Sequence, residues 1–147
     1  MPRYVTSVLT PWPDDRAFEY LADLEHFVDW DPGVSSSVQV DGAGPGLGAS
    51  FDVTVASIGP DLVLRYNTVA FDAPRRLEVR AESAFLVSVD VMTFEPTDHE
   101  GCIVTYDADL RLKGLLALGN PVLGLVFSRI GARAASGLRQ ALDGTAV

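Results

Sequence analysis

The period of the hydrophobic positions changes in an orderly way along the chain, and the changes mark its elements. Arg3 to Thr10 (RYVTSVLT) is rich in β-branched side chains and reads as a strand, ended by Pro11. Pro13, Asp14 and Asp15 then form a helix start, since proline suits the first turn and carboxylates favour the positive end of the dipole. Phe18, Leu21 and Ala22 recur at helical spacing as far as Asp23. Leu24, Phe27 and Val28 repeat it in a second short helix to Trp30, which Asp31-Pro32-Gly33 stops.

From Val34 the pattern is one of strands and turns. Strands are predicted at 34–40, 50–57, 62–71, 77–83, 86–94 and 102–112. Between them lie Asp41-Gly42-Ala43-Gly44-Pro45-Gly46, Gly59-Pro60-Asp61, Ala73-Pro74-Arg75 and the stretch from Pro96 to Gly101, each punctuated by proline or glycine. Such short connections require antiparallel neighbours. In Leu77–Ser83 the apolar and small side chains alternate with Glu78, Arg80 and Glu82. In Val104–Arg111 the residues Val104, Tyr106, Ala108 and Leu110 alternate with polar ones. One face of the sheet is therefore wet and the other covered. The cover is a helix from about Asn120 to Leu142, roughly 35 Å long, with Leu123, Phe127, Ile130, Ala134, Leu138 and Ala141 on one stripe. Pro121 starts it after a lead-in turn at Gly114–Gly119, and Ala132 and Ala135 fall on its weakly polar side. The expected fold class is α+β, a curved antiparallel sheet of about seven strands wrapped around a long C-terminal helix, with two short helices after the first strand.

Composition narrows the function classes. A chain of 147 residues suffices for one domain, expected to span 1–147. Eleven basic against twenty acidic residues give a net charge of −9, and the tightest basic cluster is Arg75-Arg76, so a nucleic-acid partner is not expected. Cys102 is the one cysteine and permits neither an internal disulfide nor a cysteine-based zinc site. The start, Met1-Pro2-Arg3-Tyr4, lacks a signal-peptide pattern, and the longest apolar run, between Lys113 and Arg129, is interrupted by Asn120-Pro121. No transmembrane segment and a cytoplasmic location are the resulting expectations.

Several segments resemble one known family. Phe18 to Pro32 (FEYLADLEHFVDWDP), the turn Phe71-Asp72-Ala73-Pro74-Arg75-Arg76-Leu77, and the hairpin Thr93-Phe94-Glu95-Pro96 with Gly101 are similar to motifs of the polyketide cyclase/dehydrase and lipid-transport family, within the START-like (SRPBCC) superfamily. Arg111-Leu112-Lys113-Gly114 resembles the strand-to-helix junction of one bacterial branch. The resemblance implies a helix-grip fold around a cavity, with Trp30 and Pro32 capping one end. These motifs are structural, and none is a catalytic signature.

Candidate chemistry is sparse. His26 and His99 are the only histidines, no nucleophile-elbow motif is present, and no His/Asp/Glu spacing suits a metal; neither a metal nor a cofactor is expected. The glycines at 42, 44, 46 and 48 are followed by a strand rather than a helix, which favours a hairpin loop, or a lid at the cavity mouth, over a phosphate cradle. Alternation places Tyr66 and Tyr106 inward and Arg65 and Asn67 in solvent. In Val87-Ser88-Val89-Asp90-Val91 it is the valines that are expected inside, with Asp90 a surface carboxylate. Small side chains at Ala81, Ala108, Ala134 and Gly137 would leave room for a ligand.

The expected ligand-binding set takes Trp30 from the second short helix and Phe51, Val53 and Tyr66 from the first hairpins. Val79, Ala81, Val89 and Val91 follow, then Tyr106 and Ala108, and from the last helix Leu123, Phe127, Ile130 and Ala134. Three functions fit: carriage of a small hydrophobic molecule, polyketide cyclase, aromatase or dehydratase activity, and protein interaction or homodimerisation through residues 114–125. Inward polar residues would favour the second.

Overall fold

The computed structural model describes residues 3–56 and 60–147, apart from the side chains of Leu123 and Leu125. The strands are β1 (Arg3–Thr10), β2 (Val34–Asp41), β3 (Ser50–Val55), β4 (Leu62–Asp72), β5 (Arg76–Glu82), β6 (Leu86–Pro96), β7 (Cys102–Leu112) and β8 (Thr145–Ala146); the helices are α1 (Asp14–Ala22), α2 (Phe27–Trp30) and α3 (Asn120–Ala141). One antiparallel sheet has the order β2-β3-β4-β5-β6-β7-β1-β8. The chain's first strand thus closes beside its last long one, with Arg3 opposite Asp109 and Thr10 opposite Cys102. Register shifts in the β2–β3 and β4–β5 ladders are bulges that bend the sheet around α3, giving the helix-grip architecture. The predicted strand at 50–57 runs on past Ala56 into residues that lie outside the description, as does Gly59 of the following turn.

The sheet has two unlike ends. At one, α1 packs Phe18 edge-on to Phe71 and Phe94, both at 5.1 Å, and an Asp14–Arg75 ion pair fastens α1 to the β4–β5 turn. Helix α3 finishes at this end, where Thr10 Oγ1 donates to the Leu142 carbonyl at 2.5 Å. At the other end lie the close of β3, the start of β4, the Ser83–Phe85 turn and the end of β7. Helix α3 begins there, its Asn120 side chain accepting from the Leu112 amide at 3.0 Å. The link Gly114–Gly119, expected as a turn, is one stretch of 3-10 helix.

Three expectations are corrected. On β6 the inward residues are Leu86, Ser88, Asp90, Met92 and Phe94, so Val89 and Val91 lie on the outer face and Asp90 inside. The register explains it: Met92 stands between Leu77 and Tyr106, and Asp90 between Val79 and Ala108, all inward positions. A one-residue shift would turn Met92 and Phe94 out to water, which costs more than leaving Val89 half-buried between Arg80 and Asp109, and Val91 half-buried between Glu78 and Asp107, on the outer face. On α3 the buried set is Gly131, Ala134, Ala135, Leu138 and Leu142, so Ala135 is core while Ile130 stays 42% exposed. Gly137 leaves no room for a ligand either, because a Cβ there would overlap the Trp30 backbone carbonyl; it allows α3 to cross α2 closely.

Candidate functional site

Between the open end of the sheet and the middle of α3 lies a cavity of about 330 Å3. That is at the small end of the roughly 300–1,000 Å3 range of ligand pockets. The strands supply its walls by strict alternation: Val53 and Val55 from β3, Leu64 and Tyr66 from β4, Ser88 and Asp90 from β6, Tyr106, Ala108 and Leu110 from β7. Helix α3 closes it with Phe127, Ile130, Gly131, Arg133 and Ala134, and the α2–β2 link adds Asp31, Pro32 and Gly33. Tyr4, Phe27, Val34 and Ala56 complete the lining, the ring of Tyr4 fitting over Gly131 where a Cβ would strike it.

Its inner wall is polar. The Tyr66 hydroxyl lies 2.6 Å from Ser88 Oγ, and the Tyr106 hydroxyl donates to Asp90 Oδ2 at 3.1 Å. The first pair spans two strand spacings, and the small residue between them makes that possible: Ala81 stands opposite both Tyr66 and Ser88 in the ladders, so the phenol passes over it. Trp30 backs the second pair, its ring edge-on to Tyr106 at 5.3 Å. These four side chains are all buried. Each phenol has found the hydrogen-bond partner that a buried tyrosine needs.

Burial sets the protonation states. Loss of water pushes the Asp90 carboxyl up to about 7, opposed by the Tyr106 hydrogen bond and reinforced by the charges of Asp31 and Asp107. Burial also raises Tyr66 and Tyr106, with Asp90 adding to both, so both phenols stay protonated at neutral pH. Asp31 is raised by burial too, while its Oδ1 accepts from the Gly33 amide at 2.9 Å. Near neutrality Asp90 therefore exchanges between an acceptor and a proton donor, which is what acid–base chemistry asks of a carboxyl group.

Of the expected ligand-binding set, Val53, Tyr66, Tyr106, Ala108, Phe127, Ile130 and Ala134 meet at this cavity. Trp30, Phe51, Val79 and Ala81 are core beside it, Val89 and Val91 are on the outer face, and the side chain of Leu123 is outside the description. Ser88 and Asp90 share the alternation of Met92 and Phe94, a signal that competed in the sequence with that of the valines on the opposite face. Asp31 and Arg133 carried no such signal. The glycine-rich loop sits at the far end of β3 and contributes nothing to the cavity; the Gln39 amide pins it through Gly44. His26 is structural, stacked 4.4 Å from Tyr20. Among the described residues no three His, Cys, Asp or Glu side chains converge as a metal site would require.

Comparison with known proteins agrees with this architecture. A family model described as polyketide cyclase / dehydrase and lipid transport matches residues 1–146. A protein from Thermus thermophilus superposes with a TM-score of 0.77 at 16% identity, covering 96% of this chain and 97% of that one. The Zhui aromatase/cyclase from Streptomyces sp. R1128 gives 0.76 at 15% identity over 96% and 93% of the two chains. A START superfamily protein from Mycobacterium smegmatis gives 0.75 at 11% identity over 96% and 97%. At these identities the structures share a fold. No curated protein matches the chain. The chain belongs to the polyketide cyclase / dehydrase and lipid transport family.

Proposed function

We propose that this member of the polyketide cyclase / dehydrase and lipid transport family binds a small hydrophobic molecule with one oxygen-bearing end, a phenol- or polyketide-like compound. The observation that carries this reading is the cavity itself, apolar over most of its wall and hydroxyl-rich at one place. An apolar body would be held by Val53, Leu64, Leu110 and Phe127, and a carbonyl or hydroxyl would face Tyr66, Ser88 and Tyr106. The limited volume favours a compact molecule over a long-chain lipid.

A second reading, turnover, rests on Asp90. A carboxylate in this wall is placed to take a proton from a carbon beside a ligand carbonyl, while a tyrosine hydroxyl donates to the carbonyl oxygen as negative charge develops on it. Cyclisation and dehydration of polyketides both begin with that step.

Native mass spectrometry of the purified protein, followed by organic extraction, tests the binding reading. Co-purification of a hydrophobic aromatic or polyketide is the expected outcome. Phe127→Asp, at a half-buried wall position that also packs against the core, is expected to weaken binding of the extracted compound by at least about tenfold, a larger loss than its cost to the fold. Equal loss of binding and fold would mean that Phe127 is core, and an empty protein that also rejects hydrophobic dyes would refute the reading.

A further inference from the structure

The end of the sheet at which the cavity lies also carries a group of exposed apolar side chains. Leu115 and Leu118 of the 3-10 link are 89% and 84% exposed, and Val122 and Val126 on the first turns of α3 are exposed beside them. Phe85, 62% exposed at the tip of the β5–β6 turn, belongs to the same surface, since its carbonyl accepts from the Lys113 amide at 2.8 Å. Val63, near the start of β4, adds a third segment at this end of the sheet. Single exposed leucines mean little, but apolar side chains brought by three separate segments to one end of the sheet form a patch that wants a partner.

Charge indicates which partner. From Leu110 to Leu142 the chain has five basic residues and no acidic one, while the other segments hold six basic and all twenty acidic residues. Arg129 and Arg133 are exposed and form no ion pair among the described residues. The acidic groups at this end are few: Glu82 is held by Arg80 and Lys113, Asp31 lies in the cavity wall, Asp61 is exposed on the β3–β4 connection, and half-buried Asp109 stands opposite Arg3 in the ladder. A second copy of this chain would set basic face against basic face, which opposes pairing.

We propose that this face docks on an anionic lipid surface, with Leu115, Leu118, Val122 and Phe85 entering the interface and Arg129 and Arg133 meeting lipid phosphates. Apolar side chains on a short helical segment, followed by arginines on the next helix, are a composition that holds an amphipathic element at a bilayer surface. The acidic remainder of the molecule is repelled by the same surface, so the protein is oriented with its open end down. Phe127, Ile130 and Arg133 line the cavity from the same helix, so docking would hold the cavity close to the phase in which hydrophobic compounds dissolve. The docking is independent of what the cavity holds.

The test is co-sedimentation with vesicles of equal parts phosphatidylglycerol and phosphatidylcholine, and with phosphatidylcholine vesicles, at low and physiological salt. The protein is expected to pellet with the mixed vesicles, less so as salt rises, and weakly with phosphatidylcholine alone. A Leu115→Asp/Leu118→Asp variant is expected to reduce partitioning by at least about tenfold, and Arg129→Glu by about tenfold. Because the first two positions lie on the link to α3, Phe85→Ser on a separate turn serves as a second variant, expected to reduce partitioning several-fold. Failure to pellet with the mixed vesicles at low salt overturns the proposal, as does pelleting that none of the variants reduces. A dimer in sedimentation equilibrium that the double variant dissociates, or binding to an acidic protein without binding to vesicles, would give the face to a different occupant and equally overturn it.

Discussion

Asp90 is a carboxyl group whose surroundings decide its charge. Its one described hydrogen bond comes from Tyr106, and its strand neighbours on the inner face are Val79 and Ala108. Because its folded value is raised to about 7 from 3.8, the folded state binds a proton that the unfolded chain has already lost. Stability contributed by that proton is complete below about pH 4 and is lost as pH rises to about 7, beyond which it stays lost. The loss is on the order of a few kcal/mol. Asp31, raised in the same sense, adds to the slope. In urea titrations from pH 4 to 8 the wild type is expected to lose stability steadily, and Asp90→Asn to show a much flatter profile and to be the more stable protein at pH 8. A profile of equal slope for both would mean that Asp90 is hydrated and that the acid–base reading lacks its foundation.

Helix α3 shows how one element serves two ends differently. Its second half is packed through Ala134, Ala135 and Leu138, while Gly131 and Gly137 bring it against Tyr4 and Trp30. Among the described side chains of its first turns, Val122 and Val126 are exposed and Phe127 meets the cavity. Two glycines of this helix should therefore respond oppositely to a methyl group. Gly124→Ala meets nothing within 4 Å and should gain the helix propensity of alanine, up to about 1 kcal/mol. Gly137→Ala would overlap the Trp30 carbonyl, and separating α3 from α2 is expected to cost about 2 kcal/mol net, read from urea midpoints. Element order, the long strands and both short helices were legible in the sequence, because turn residues separate them and each has a clear period. Strand β8 was not, since two residues carry no periodicity and Thr145–Ala146 pair with β1 only because α3 delivers them there. The face of β6 was misjudged for a similar reason. Valines and Met92–Phe94 compete for the interior on alternate positions, and neighbouring strands decide the outcome. Tyr66 and Tyr106 could be placed from alternation alone, whereas the partners that make them a site, Ser88 and Asp90, depended on that decision.

At the scale of the whole molecule, the balance between core and cavity is set by where small side chains fall. Two alanines on neighbouring parts of the sheet illustrate it. Ala81 of β5 is 1% exposed and lies under the phenol that reaches from Tyr66 to Ser88, so its smallness is already used. Ala108 of β7 is also buried, yet it faces the cavity. Enlarging each to leucine should therefore separate packing from binding. Ala81→Leu must displace Tyr66 and is expected to lose about 1–3 kcal/mol, as overpacked cores do. Ala108→Leu extends into space that is open, so its stability is expected to stay within about 1 kcal/mol of wild type, while hydrophobic-dye binding falls by at least about tenfold. Paired thermal melts and dye titrations of the two variants give the answer. If Ala108→Leu were as destabilising as Ala81→Leu, the sheet and α3 would have to close on one another at that level, and the apolar, hydroxyl-ended volume on which the functional reading rests would not exist in solution. If Ala108→Leu keeps the fold and loses the dye, the space between sheet and helix is a site held open by the surrounding core.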